Sequence, residues 1–94
     1  EVPFTKLLPA DSPWAVDGRP TLVRGVIDLV FREEAGWVVV DYKTDRAAKS
    51  HLSKVVEHYR GQVTMYAQLW AEMTGEAVHE CGLYFTEVDE YQEL

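Results

Sequence analysis

Asp28, Asp41 and Lys43 are charged residues set inside the two most apolar runs of the chain, Thr21–Phe31 (TLVRGVIDLVF) and Trp37–Lys43 (WVVVDYK). Strand interiors are where charges are least expected, because desolvating them is costly. The runs are rich in Val, Ile and aromatic residues, and Arg-Glu-Glu-Ala-Gly separates them. That is the signal of a hairpin, with Gly36 able to take a positive φ. A loop Glu33–Gly36 pairs Arg32 with Trp37. In the same register Asp28 faces Asp41, with Cβ atoms about 5 Å apart. Lys43, two residues beyond Asp41, points to the same face. An odd-numbered slip of register would break the cluster.

Two facing carboxylates in a half-buried sheet repel unless something neutralises them. Two arrangements satisfy the set. A hard divalent cation such as Mg²⁺ prefers carboxylate oxygens, and the neighbouring ammonium then orients a water or stabilises charge developing on a phosphate. Alternatively, Asp and Lys form an internal ion pair while the second Asp is held by backbone donors.

The elements that must position these residues can be read from the pattern. Val2–Leu8 is a short apolar stretch ending at Pro9 and is expected to be an edge strand. Turn clusters at Asp11–Pro13 and Asp17–Pro20 flank Trp14-Ala15-Val16 and mark a loop or brief hairpin. Both faces of Thr21–Phe31 and Trp37–Lys43 are mostly apolar, as expected of central strands covered on two sides. From Ser53 to Thr74 the spacing changes. Val55, Val56, Tyr59, Val63, Tyr66, Trp70 and Met73 recur at three and four residues, the stripe of an amphipathic helix closed by Gly75. Gly61 inside this helix costs about 1 kcal/mol relative to Ala, so a reason for the missing side chain is expected. Val78–Val88 reads as a further strand. The order β-β-β-α-β describes an α/β (α+β) fold, a mixed sheet with a helix against one face.

Gly25-Val26-Ile27-Asp28, followed by Val38-Val39-Val40-Asp41-Tyr42-Lys43-Thr44, resembles the core of the PD-(D/E)XK nucleases, which have a restriction-endonuclease-like fold. Tyr59-Arg60-Gly61-Gln62-Val63-Thr64-Met65-Tyr66 is similar to the Gln-x-x-x-Tyr motif of the RecB-type branch. That branch supplies the C-terminal nuclease domains of bacterial helicase–nucleases, and the pattern is most similar to their AddA and RecB subunits. The resemblance runs from Val23 to Trp70, with Glu1–Phe4 fitting the preceding strand. It implies that Asp28 and Asp41 bind Mg²⁺ (or Mn²⁺), that the Tyr42 main-chain carbonyl is a third ligand, and that Lys43 is the catalytic lysine. It also implies that Gln62 and Tyr66, one turn apart, position DNA or the metal-site residues. Ordinary packing is the alternative for both.

The family pattern also has an upstream helix carrying a metal-binding histidine, which has no counterpart among these residues. His51, His58 and His79 all lie downstream and match no family position, so surface or packing roles are expected for them. The chain is therefore expected to be one partial domain, residues 1–94, from the C-terminal nuclease core of a larger protein, with little activity on its own. The implied partners are DNA, as single strands delivered by a helicase motor that consumes ATP outside this segment, and a second helicase–nuclease subunit. The implied role is in double-strand-break repair. A catalytically silent nuclease-fold module with a structural or DNA-guiding role and a phage-type exonuclease remain alternatives.

Composition bounds these readings. Nine Lys and Arg stand against sixteen Asp and Glu, a net charge of −7. That argues against autonomous capture of nucleic acid, which basic charge drives. The surplus is confined to residues 61–94, which carry seven acids and no Lys or Arg. Lys43–Arg60, by contrast, holds Lys43, Arg46, Lys49, Lys54 and Arg60 against Asp45 and Glu57, where phosphates would approach a site at Lys43. A solvated loop and helix start is the other reading of that segment. A hydrophobic content of 47% is that of a globular core. One cysteine, Cys81, rules out an internal disulfide framework and a four-cysteine iron–sulfur staple. With no signal peptide or membrane-length apolar run in the sequence, the expectation is a bacterial cytoplasmic protein.

Overall fold

A computed structural model describes all of residues 1–94. The chain forms β1 (Val2–Leu8), β2 (Thr21–Ile27), β3 (Leu29–Glu33), β4 (Gly36–Lys43), a 3₁₀ turn at Arg46–Lys49, α1 (Leu52–Thr74), β5 (Val78–Phe85) and β6 (Glu90–Glu93). β1 and β2 make a two-stranded antiparallel ribbon. The other strands form a mixed sheet in the order β3-β4-β5-β6, in which only β4 and β5 run parallel. Parallel neighbours need a long crossover. Here α1 provides it and packs back on β4 and β5. No helix is long and apolar enough to cross a membrane.

Three expectations need correction. Thr21–Phe31 is two strands: the chain bends at Asp28, leaves the ribbon and enters the sheet. Its apolar residues are not all covered either. β4 is central and buried from Val38 to Asp41, whereas β3 is an edge strand on which Leu29 and Phe31 are 37% and 41% exposed. The expected strand Val78–Val88 likewise stops at Phe85, and a turn leads into β6, which the sequence pattern does not announce. Glu90-Tyr91-Gln92-Glu93 is short and mostly polar. It becomes a strand because it completes the edge of β5, not because its own pattern demands it.

The hairpin register is as expected, Arg32 opposite Trp37. Its turn is tighter than expected, since Glu33 already pairs with Gly36. Gly36 takes φ 144°, and a Cβ there would stand 2.7 Å from the Ala77 carbonyl oxygen.

The core has two parts. Phe4, Leu8 and Ile27 from the ribbon, Val39 from β4, and Ala67 and Leu69 from α1 form one cluster. Ala48, Val55, Val56, Val63, Leu83 and Phe85 form the other. Gly75, at φ 71°, ends α1, its N–H donating to the Ala71 carbonyl at 2.9 Å.

Two glycines carry opposite consequences. At Gly25 a Cβ would lie 2.7 Å from the buried Phe4 ring and 2.9 Å from the Tyr66 hydroxyl. At Gly61 a Cβ would meet nothing within 4 Å, so packing supplies no reason for the missing side chain. Gly25→Ala should therefore destabilise the chain by about 1–3 kcal/mol through overpacking. Gly61→Ala should stabilise it by about 1 kcal/mol through helix propensity. Urea unfolding of both variants checks the pair, and equal effects would contradict the packing described.

Candidate active site

The site is built where the β3–β4 ladder stops. Its last pair is Leu29–Val40. Continued, the register would pair Tyr42 with Ile27, but Ile27 belongs to β2 and pairs with Val2. The Tyr42 N–H thus lacks a strand acceptor, and leaving it unpaired would cost about 1–3 kcal/mol if buried. It donates instead to Asp28 Oδ2 at 2.9 Å. A strand residue directs its N–H and C=O toward the same neighbour. The Tyr42 carbonyl is therefore directed to the edge where Asp28 lies.

Asp28 sits one residue outside the ladder, yet its side chain meets Asp41 as the register requires. The two carboxyls share a hydrogen bond. Burial, and then the hydrogen bond to Asp28, push the Asp41 carboxyl up to about 6 against the pull of Lys43. The hydrogen bond from Asp41, then the Tyr42 amide and the Lys43 charge, hold Asp28 below the usual carboxylate value despite its partial burial. At mildly acidic pH the pair therefore holds one proton, on the Asp41 side. Lys43 Nζ contacts Asp41 Oδ2 at 2.8 Å, with both side chains largely withdrawn from solvent, and donates to Gln62 Oε1 on α1 at 3.0 Å. These are the contacts of the ion-pair arrangement, with Asp28 held by a backbone donor. The same atoms suit a hard cation, since two carboxylates and a carbonyl-bearing strand edge converge at one point and one proton is all that separates the two charges.

The remaining candidates divide. Gln62 joins the site through Lys43. Tyr66, one turn along, does not: its ring packs edge-to-face on Phe4, with centroids 5.1 Å apart, and its hydroxyl lies close to Gly25. Arg46 and Lys49 on the 3₁₀ turn and Lys54 in the first turn of α1 are exposed and make no ion pair. Arg60 is paired with Glu57 at 2.9 Å. All four follow the Asp41–Lys43 end of β4 in the chain. None of the histidines is bonded to Asp28 or Asp41. His51 precedes α1, the His58 ring lies against Tyr59, and His79 pairs with Glu33 at 2.8 Å. The ligand atoms of Glu33, His79 and Glu80 lie within 4.8 Å of one another. That group stands at the hairpin-turn end of β4, five residues from Asp41, or about 16 Å at the strand rise.

Two further residues belong to the site that the motifs do not mark. Asp45 caps the 3₁₀ turn, its Oδ1 accepting from the Ala47 N–H at 2.9 Å, and its Oδ2 accepts from the Tyr59 hydroxyl at 3.2 Å. Tyr59 figures in the sequence as a member of the apolar stripe and as the residue that opens the Tyr59–Tyr66 stretch, outside the Gln-x-x-x-Tyr motif itself. Its position three residues before Gln62, on the same helix face, is the signal that could have found it.

The raised Asp41 value has a signed consequence for stability. An unfolded aspartate titrates near 3.8, the folded Asp41 near 6, so the folded chain binds more protons between these values. Its contribution to stability is complete below the unfolded value and is lost as pH rises through about 6. Asp28, shifted the other way, contributes above its unfolded value and loses that contribution as pH falls through its folded one. The metal-free chain should therefore lose melting temperature between about pH 4.5 and 6.5, and Asp41→Asn should flatten that slope. Thermal melts in the presence of a chelator check this; an unchanged slope in Asp41→Asn assigns the effect elsewhere.

A family model described as the PD-(D/E)XK nuclease superfamily matches residues 1–93. The chain is also similar to several bacterial proteins named as the A subunit of an ATP-dependent helicase/nuclease. That of Clostridioides difficile (strain 630) is 33% identical over 87 residues, which is 93% of this chain and 7% of that protein. That of Carboxydothermus hydrogenoformans is 46% identical over 68 residues, 72% of this chain and 6% of the relative. That of Geobacillus thermodenitrificans is 38% identical over 95 residues, 89% of this chain and 8% of the relative. The chain thus spans only 6–8% of the length of these curated relatives. A match that runs from the first residue through β6 leaves no element of the fold outside the family pattern: the chain belongs to the PD-(D/E)XK nuclease superfamily.

Proposed function

We propose that this chain is the metal-dependent deoxyribonuclease part of a helicase–nuclease and hydrolyses DNA phosphodiester bonds during double-strand-break repair in the bacterial cytoplasm. The observation that carries the reading is the convergence of Asp28, from the bend between β2 and β3, with Asp41 and Lys43 of β4, and with Gln62 reaching in from α1. Asp28, Asp41 and the Tyr42 carbonyl are the groups that would hold Mg²⁺ or Mn²⁺. Such an ion, when bound, supplies the charge that polarises a phosphate and acidifies a water.

The chain's own residues do the rest. Asp41, ionised above about pH 6, presents a second anionic carboxylate beside Asp28. Lys43, held by Gln62 beside Asp41, directs an N–H toward the scissile phosphate and stabilises the charge that grows there. Tyr66 acts at one remove, steadying the ribbon that ends at Asp28 through Phe4 and Gly25. Arg46, Lys49, Lys54 and Arg60 guide the DNA backbone past the end of β4, ahead of the acid-rich residues 61–94. The similarity to helicase/nuclease subunits supports a motor outside residues 1–94 that consumes ATP and delivers single strands, and a partner subunit beside it.

In the whole protein that carries this chain, Asp41→Asn should lower DNA cleavage by about two orders of magnitude or more while ATP-driven unwinding continues. Retained cleavage would sink the assignment. Replacing Arg46, Lys49 and Lys54 together with Ala should reduce the slope of log K against log salt for single-stranded DNA by about 2. A slope that does not change removes these residues from the DNA path.

A further inference from the structure

The Lys43 side chain is a flexible four-carbon stem at the end of a strand, and holding its ammonium in one place costs rotamer freedom. Its head has three N–H donors. Asp41 Oδ2 and Gln62 Oε1 take two directions, at 2.8 and 3.0 Å. The face of the Tyr59 ring closes another side, with Nζ 4.3 Å from the ring centroid, well inside the range of about 6 Å over which a cation is attracted to a π-face. Tyr59 is itself fixed. It lies on α1 one turn before Gln62, packs on the core cluster that includes Ala48, Val55 and Val63, and donates its hydroxyl to Asp45. Burial, then the hydrogen bond to Asp45, raise its phenol, which keeps it a donor. Asp45 in turn caps the 3₁₀ turn that begins three residues after Lys43.

We propose that Tyr59 is a positioning residue for the reaction: its ring face holds the Lys43 ammonium against Asp41, and its hydroxyl locks that ring to the Asp45 cap. The kinetic part of this rests on the nuclease reading above; the geometric part does not. A ring that served only as core filling would be replaceable by an aliphatic side chain. One that acts through its face is replaceable only by another aromatic ring.

The test compares Tyr59→Phe with Tyr59→Leu in two measurements. The first is NMR of the 94-residue chain. The Lys43 ε-CH₂ protons should be shifted upfield by the ring current, stay shifted in Tyr59→Phe, and return to the free-lysine position in Tyr59→Leu. A free-lysine position in the unsubstituted chain, or no movement in Tyr59→Leu, overturns the proposal whether or not cleavage is ever seen. The second is steady-state cleavage of a single-stranded oligonucleotide by the whole protein, with melting temperatures recorded for each variant. Tyr59→Leu should lower kcat about tenfold, a loss between those of an exposed and a fully desolvated cation–π contact, with KM within about twofold. Tyr59→Phe should recover most of that loss. A Tyr59→Leu enzyme within twofold in kcat, a loss confined to KM, or a Tyr59→Phe as impaired as Tyr59→Leu would each overturn it. Asp41→Asn run alongside separates the two levels. If it cleaves like the unsubstituted protein, the nuclease reading falls, and the chemical shifts still decide the contact.

Discussion

The site depends on one hydrogen bond that a side chain makes in place of a strand. At Asp28 the chain leaves the β1–β2 ribbon and enters the main sheet, so Ile27 is not available to pair with Tyr42. The Tyr42 amide is satisfied by the Asp28 carboxylate, and that bond sets the rest of the geometry. It holds Asp28 beside Asp41 although no ladder pair joins them, and it brings the Tyr42 main chain to the same edge. A continuous strand through Asp28 would have filled that edge with ordinary ladder bonds and left no room for a ligand.

The second constraint is the parallel pairing of β4 with β5. Because parallel strands cannot be joined by a tight turn, the chain must cross over after Lys43, and α1 is laid over the face that carries Asp41 and Lys43. The crossover brings Gln62 and Tyr59 to the lysine from only two or three helical turns into α1. Asp41, Lys43, Asp45, Tyr59 and Gln62 thus come from one contiguous stretch, and Asp28 is the distant contributor. The opposite face of the sheet has no such cover in this chain. Leu29, Phe31, Tyr42 and Tyr91 remain exposed there.

Much of this was legible in the sequence for a physical reason. Side chains alternate strictly along a strand, so once the turn at Gly36 fixed the register, the meeting of Asp28 and Asp41 and the side of Lys43 followed. Helical spacing likewise placed Gln62 and Tyr66 on one side of α1. What the pattern could not carry were features decided by partners. The break at Asp28 depends on β1 competing for Ile27. β6 exists because β5 offers an edge. Tyr66 reaches Phe4, not Lys43, because the ribbon lies under that turn of the helix. Tyr59 looked like core because an aromatic ring at helical spacing carries no mark of whether its edge or its face is in use.

The bond from Tyr42 to Asp28 also determines how the site can be interrogated. An alanine at Asp28 removes a charge and, at the same time, strands a main-chain donor, so a dead protein would not distinguish lost chemistry from a loosened β4. Asparagine keeps an oxygen within reach of the amide and removes the charge alone. At Asp41, which holds no main-chain donor among the bonds described, either replacement reports on the carboxylate. Two aspartates that look equivalent in composition therefore call for different probes, because one of them doubles as a piece of the backbone.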